Sequence, residues 1–151
     1  MAYVAVQEAD FDPGREIGRL AARAGGIGGI GCFIGLVRGD VGGRPIVAMT
    51  LEHYSGMTER SLGAIAEEAE RRWQPCWVSV VHRVGRLSPG ERIVLVLAAA
   101  LHREPALAAT GFLIDWLKTK APFWKKEYFA DGSEAWVDAS DTDAVAAARW
   151  D

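Results

Sequence analysis

An α+β fold is what this sequence predicts, and three observations predict it. Strand-like stretches at Tyr3 to Val6, Cys32 to Val37, Ile46 to Tyr54, Cys76 to Val84 and Ile93 to Ala100 are dispersed along the chain. Helical stretches fall between them, so strands and helices are mixed rather than segregated. Near the end, Ala130-Asp131-Gly132-Ser133 reads as a turn that pairs Trp124 to Phe129 with Glu134 to Val137 as a hairpin. A chain of 151 residues is expected to form a single domain, 1–151, that buries about two-thirds of its unfolded surface.

Each element follows from local signals. Asp10 or Asp12 before Pro13 marks a helix start, and Ile17, Leu20, Ala21 and Ala24 supply its apolar side before Gly25-Gly26 ends it. The run Gly26 to Gly31 contains a literal G-x-G-x-x-G. In a dinucleotide site those glycines follow a strand and open a helix, whereas here a helix precedes and a strand follows, so the glycines are a flexible entry into a strand. Gly39 to Pro45 is glycine-rich and predicts a mobile loop. Met57 to Trp73 is an amphipathic helix with Leu62, Ile65, Ala69 and Trp73 inward and its charges mostly outward. Leu87-Ser88-Pro89-Gly90 turns the chain into Ile93 to Ala100, a nearly continuous apolar run expected at a sheet's centre. His82-Arg83 and His102-Arg103 each sit near the end of such a strand. The segment from Asp141 is short, alanine-rich and expected to be peripheral.

Composition excludes several function classes. Half the residues are hydrophobic, a quarter are charged, and the net charge is −3, so no global field draws the chain to nucleic acid or to an acidic membrane. Any anion site must be local. Cys32 and Cys76 have neither C-x-x-C nor metal-ligand spacing and are expected to be buried free thiols. No metal and no cofactor are expected. The start of the chain lacks the basic and apolar regions of a leader, and no apolar run reaches the roughly 18 residues of a membrane span. A soluble cytoplasmic protein is the expectation.

The chemistry concentrates in Asp115 to Glu127, D-W-L-K-T-K-A-P-F-W-K-K-E. Leu107, Gly111, Ile114 and Lys118 follow one another on one side of a helix, so Lys118 ends an apolar stripe with its ammonium at the rim of a covered surface. Pro122 removes a backbone donor and biases Ala121 away from helical angles, so the helix stops near Lys120. In the extended segment beyond, side chains alternate, and Lys125 rather than Lys126 shares the face of Phe123. These lysines serve one of two purposes: complementing a helix C-terminus, or forming a cationic pocket for a phosphate or carboxylate, with aromatic and proline walls that exclude water. His102-Arg103 precedes this same helix, where free backbone donors suit phosphate.

The run Lys118-Thr119-Lys120-Ala121-Pro122-Phe123-Trp124-Lys125-Lys126-Glu127 closely resembles the signature of the MoaE family, the large, catalytic subunit of molybdopterin synthase. Other pieces stand in matching order: Phe33 to Arg38, Leu51-Glu52-His53-Tyr54 with Met57, His82-Arg83-Val84-Gly85, His102-Arg103, Gly132 and Trp136-Val137. The resemblance implies an α/β-hammerhead-like core with an additional antiparallel β part. It implies conversion of cyclic pyranopterin monophosphate to molybdopterin, with sulfur delivered on the C-terminal Gly-Gly thiocarboxylate of a small ubiquitin-like partner. It further implies a dimer of large subunits carrying a small subunit at each end. Carried over residue by residue, Lys118 lies beside the tail's terminal carbonyl and Lys125 acts as donor or general acid toward substrate. Arg38, His102 and Arg103 grip phosphate and pterin, and Phe33 and Pro122 shape the walls; His102 and Arg103 serve either their own pocket or the facing protomer's. Two departures stand out: the arginine that many members carry shortly after Trp-Val is replaced here by Asp138-Ala139-Ser140, and Gly39-Asp40 stands where an asparagine is usual. The competing expectations are a noncatalytic adaptor for a ubiquitin-like tail and a phosphate-ester binding domain with no protein partner.

Overall fold

The computed structural model describes residues 2–138 and 140–151. Two sheets organise them. The first holds β1 (Tyr3–Gln7), β5 (Cys76–Arg83), β7 (Arg92–Ala100) and β2 (Gly29–Leu36) in the order β1-β5-β7-β2, with β1 parallel to β5 and the other pairs antiparallel. The second holds β3 (Asp40–Val41), β4 (Arg44–His53), β8 (Phe123–Phe129) and β9 (Glu134–Val137) in the order β3-β4-β8-β9, with β6 (Gly85–Leu87) also on β4. The α+β class read from the sequence is therefore the observed one, and the second sheet is its added antiparallel part.

The first sheet is covered on both faces. Alternate residues of β7 point opposite ways: Val94, Val96 and Ala98 pack under α2 (Met57–Arg72) and α3 (Arg103–Thr119), whereas Leu95, Leu97 and Ala99 pack under α1 (Pro13–Arg23). That double coverage is why the strand reads as an uninterrupted apolar run. Ile93 and Phe123 touch the core of each sheet, so the two are joined by packing.

Asp12 caps α1 by accepting a hydrogen bond from the Arg15 backbone N–H at 3.3 Å. The segment expected to be a mobile loop is instead a tight hairpin: Asp40 pairs with Pro45, Val41 with Arg44, and Gly42 and Gly43 take the turn with φ of 59° and 80°. Both glycines occupy the left-handed region that two-residue hairpins require.

Three further expectations are corrected. Cys76 is buried, but Cys32 is exposed on β2, the edge strand of its sheet, whereas α1 packs mainly on β5 and β7. Leu107 is 63% exposed, because the buried side of α3 is carried by Ala106, Ala109, Phe112, Leu113 and Leu117 instead. The last segment is not peripheral. Asp141–Ala148 forms α4, and Trp150 beyond it packs edge-on against Trp73 and Phe112, with ring centroids 5.6 and 5.7 Å away.

Candidate active site

A cavity of about 660 Å³ opens where five elements meet: the second half of β2, the C-terminal turn of α3, the start of β8, the end of β9 and the start of α4. Phe33, Arg38, Lys118 and Lys125 all line it. Pro122 forces the geometry that brings the two lysines together. The helix ends with Lys120 as its C-cap, and β8 begins at Phe123, so Lys118 projects from a helix end and Lys125 from the adjoining strand. Alternation along β8 then sends Phe123 and Lys125 into the cavity and Trp124 outward onto Tyr54.

The cavity is electrostatically tuned. Burial first, and then the nearby Lys118 ammonium within hydrogen-bonding reach, bring the Lys125 pKa down to about 8, with Asp143 opposing the shift. Two close cations in a half-buried hollow suit an anionic guest and lose mutual repulsion when one arrives. Beneath them His82 stacks on Phe123 with centroids 3.9 Å apart and an interplanar angle of 17°. The His82 Nδ1 lies 2.8 Å from the Arg83 carbonyl, which can only accept, so Nδ1 carries the proton. Burial, with Lys125, Lys118 and His53 close by, holds its pKa down to about 4, so the ring is neutral and supports the wall without adding charge. Arg83 is likewise structural: its Nε donates to the Glu8 carbonyl at 3.1 Å and its Nη1 to the Arg92 carbonyl at 3.0 Å.

Other expected site residues lie elsewhere. Pro122 does not line the cavity; it forms the corner, and its carbonyl accepts from the Thr58 hydroxyl at 3.5 Å. His102 and Arg103 are exposed at the opposite end of α3, about 22 Å along the axis from Lys118 at 1.5 Å per residue. They cannot reach the cavity of their own chain. Lys120 pairs with Asp151 at 3.7 Å and Lys126 with Glu134 at 2.7 Å, so both point away from it. Arg149 does not replace the arginine absent after Trp136-Val137, because it is held by Asp115 at 2.8 Å and stacked on Trp150. A more open depression of about 750 Å³ near Gln74 and Trp77 mixes Glu67, Glu70 and Arg71 and offers no converging cations.

Sequence reasoning missed what α4 brings. Ser140, Thr142 and Asp143 line the same cavity as the two lysines. The pattern Ser140-Asp141-Thr142-Asp143 signals a helix start, and Ser140 does cap α4 by accepting from the Asp143 N–H at 3.0 Å. Nothing local says that this start folds back against residues more than twenty positions earlier. Among the described residues no cluster of histidine, cysteine and carboxylate side chains has the spacing to hold a metal ion.

Fold and site together define a mixed α+β domain with a sheltered cavity lined by two lysines and an arginine. The model of the family described as MoaE protein matches residues 6–120. A molybdopterin synthase catalytic subunit from Pseudomonas aeruginosa is 49% identical over 148 residues, covering 98% of each chain. The solved MoaE protein of Burkholderia ambifaria is 51% identical with a TM-score of 0.85, covering 99% of this chain and 98% of that one. Molybdopterin synthase from Staphylococcus aureus is 26% identical with a TM-score of 0.80, covering 87% and 94%. This chain belongs to the MoaE family.

Proposed function

We propose that the chain is the catalytic subunit of a molybdopterin synthase and transfers sulfur from the thiocarboxylated Gly-Gly tail of a small ubiquitin-like subunit to cyclic pyranopterin monophosphate. The observation that carries this reading is the convergence of Lys118 and Lys125 in one cavity beside Arg38 and Phe33. A thiocarboxylate and a cyclic phosphate are both anions, and a hollow of about 660 Å³ is of a size that takes a small-molecule substrate and the end of a peptide. When the tail's sulfur bonds to a substrate carbon, the tail carbonyl becomes a thioester. In this reading Lys118, on the cavity wall, stabilises the oxygen charge that develops as that thioester is opened. Lys125, with a pKa near neutrality, is suited to give a proton to substrate and take it back.

His102 and Arg103 belong, in this proposal, to the cavity of a second copy. β2 is the open edge of its sheet, and Ile34, Leu36 and Leu107 are exposed beside it. A two-fold axis perpendicular to that edge runs two β2 strands antiparallel, setting the start of one α3 near the cavity end of the other. The partner's His102 and Arg103 then supply phosphate contacts that no arginine after Trp136-Val137 provides. No helix among the described residues is long and apolar enough to cross a membrane, and with both cysteines free the cytoplasm is the proposed setting.

The test is reconstitution. The chain mixed with thiocarboxylated small subunit and cyclic pyranopterin monophosphate is expected to yield the dithiolene product. A stable complex without turnover would make the chain an adaptor, and substrate binding indifferent to the small subunit would make it a phosphate-ester binding domain.

A further inference from the structure

The two lysines explain how anions are held and how oxygen charge is stabilised, but opening a thioester also needs a group that takes a proton from water. Of the side chains lining the cavity, only Asp138 and Asp143 are carboxylates. They differ in setting. Asp138 is exposed beyond the end of β9, whereas Asp143 is partly buried in the first turn of α4 and lies close enough to Lys125 to act on its charge. The placement of Asp143 is enforced from the far end of its helix. The Trp150 indole N–H donates to Asp115 at 2.7 Å, Arg149 donates to the same carboxylate oxygen at 2.8 Å, and Arg72 donates to the Trp150 carbonyl at 2.8 Å. These bonds, with the Trp73 and Phe112 rings around Trp150, clamp α4 so that its first turn forms one wall of the cavity.

We propose that Asp143 is the general base for the hydrolytic half of the reaction, opening the thioester that joins the small subunit's tail to the sulfurated substrate. The inference rests on the sulfur-transfer reading and deepens it. A water oxygen bonds to the thioester carbonyl carbon while one of its protons passes to the Asp143 carboxylate. The carbonyl oxygen takes up negative charge beside Lys118. The carbon–sulfur bond then breaks with its electron pair going to sulfur, which stays on the substrate as a thiolate. The tail leaves as a carboxylate after losing the second water proton to solvent, and Asp143 returns its proton to the thiolate or to solvent. No oxidant or reductant enters. A carboxylate opposite a lysine supplies both halves of hydrolysis, base and oxyanion donor, and leaves Lys125 to the proton transfer toward substrate.

The experiment is a single turnover with the full chain, a carrier thiocarboxylated at its Gly-Gly terminus and cyclic pyranopterin monophosphate, quenched at intervals and read by intact mass of the carrier. Asp143→Asn keeps the side-chain shape and the Ser140 cap, which uses the backbone of residue 143. It is expected to form the covalent carrier–substrate adduct within about threefold of the normal rate and to release it at least about thirtyfold more slowly. Asp143→Glu is expected to recover release to within about tenfold, because it restores a base at the cost of a shifted position. Adduct decay in Asp143→Asn at the unsubstituted rate, or adduct accumulation in Asp138→Asn instead, overturns the assignment to Asp143 while leaving sulfur transfer standing. Failure of the unsubstituted chain to make either adduct or product overturns both.

Discussion

The two sheets are built by different rules. β7 in the first is buried on both faces, and all residues from Val94 to Ala100 are apolar and nearly inaccessible. β8 in the second alternates: Phe123 and Lys125 turn inward to the cavity, while Trp124 and Lys126 face out and Lys126 pairs with Glu134. The first sheet lends rigidity and, through the second half of β2, one wall of the cavity, whereas the second trades burial for access and carries a lysine whose charge its own surroundings disfavour. Stability and chemistry are thus divided between two sheets joined through Ile93 and Phe123.

That division is open to direct attack. Leu97 is fully buried under α1 and does not line the cavity, so Leu97→Ala should lower unfolding free energy by about 3 kcal/mol while leaving kcat per folded molecule unchanged. Chemical denaturation and a rate corrected for folded fraction decide it; a kcat that falls with stability would join the two sheets functionally. Lys118→Ala and Lys125→Ala should do the reverse, each cutting turnover at least about a hundredfold, near 2.7 kcal/mol of transition-state stabilisation, with little change in melting temperature. Near-normal rates would remove both lysines from the site. Trp150→Phe keeps an aromatic ring against Trp73 and Phe112 but loses the bond to Asp115, and should cost about 1 kcal/mol. Its substrate KM should rise as the α4 wall loosens, and an unchanged KM would mean that the clamp does not shape the cavity.

The smallest effects are expected from pH. With Lys125 holding its proton only to about pH 8 rather than the ordinary 10.5, kcat/KM should decline above pH 8, and Lys125→Arg, whose charge persists, should flatten that limb. An alkaline limb that stays in place in Lys125→Arg assigns it to another group. The stability sign follows from linkage. Because the folded pKa is depressed, the unfolded chain binds the proton more tightly, so the destabilisation is fully present below pH 8 and fades as pH rises toward 10.5. Lys125→Met should therefore stabilise the protein at pH 7 by more than it does at pH 10. A gain independent of pH would show that the lysine's charge carries no such penalty.

Much of this was legible in the residues. The β7 run, the cap and proline before α1, the stop at Pro122 and the sharing of one face by Phe123 and Lys125 are all local, governed by steric and hydrogen-bonding rules that act over a few positions. So was the MoaE resemblance, since its signature is contiguous. Local rules misjudged Leu107 and Cys32, whose apolar character implied burial although Leu107 lies off the buried side of α3 and Cys32 stands on an edge strand. The glycines at 42 and 43 were misread because a flexible loop and a tight hairpin share one composition.

The sequence by itself determined the first three helices and the longer strands, where the α3 helix breaks and that Lys118 and Lys125 flank the break. Only the tertiary structure decided that His102 and Arg103 lie a helix length from those lysines, that His82 stacks neutral beneath Phe123, and that α4 folds back to set Asp143 beside Lys125. The physical reason is range. Backbone sterics and side-chain periodicity act between near neighbours and are written residue by residue, whereas the meeting of distant segments depends on which apolar surfaces, such as Trp150 against Trp73 and Phe112, find one another once the chain has closed on itself.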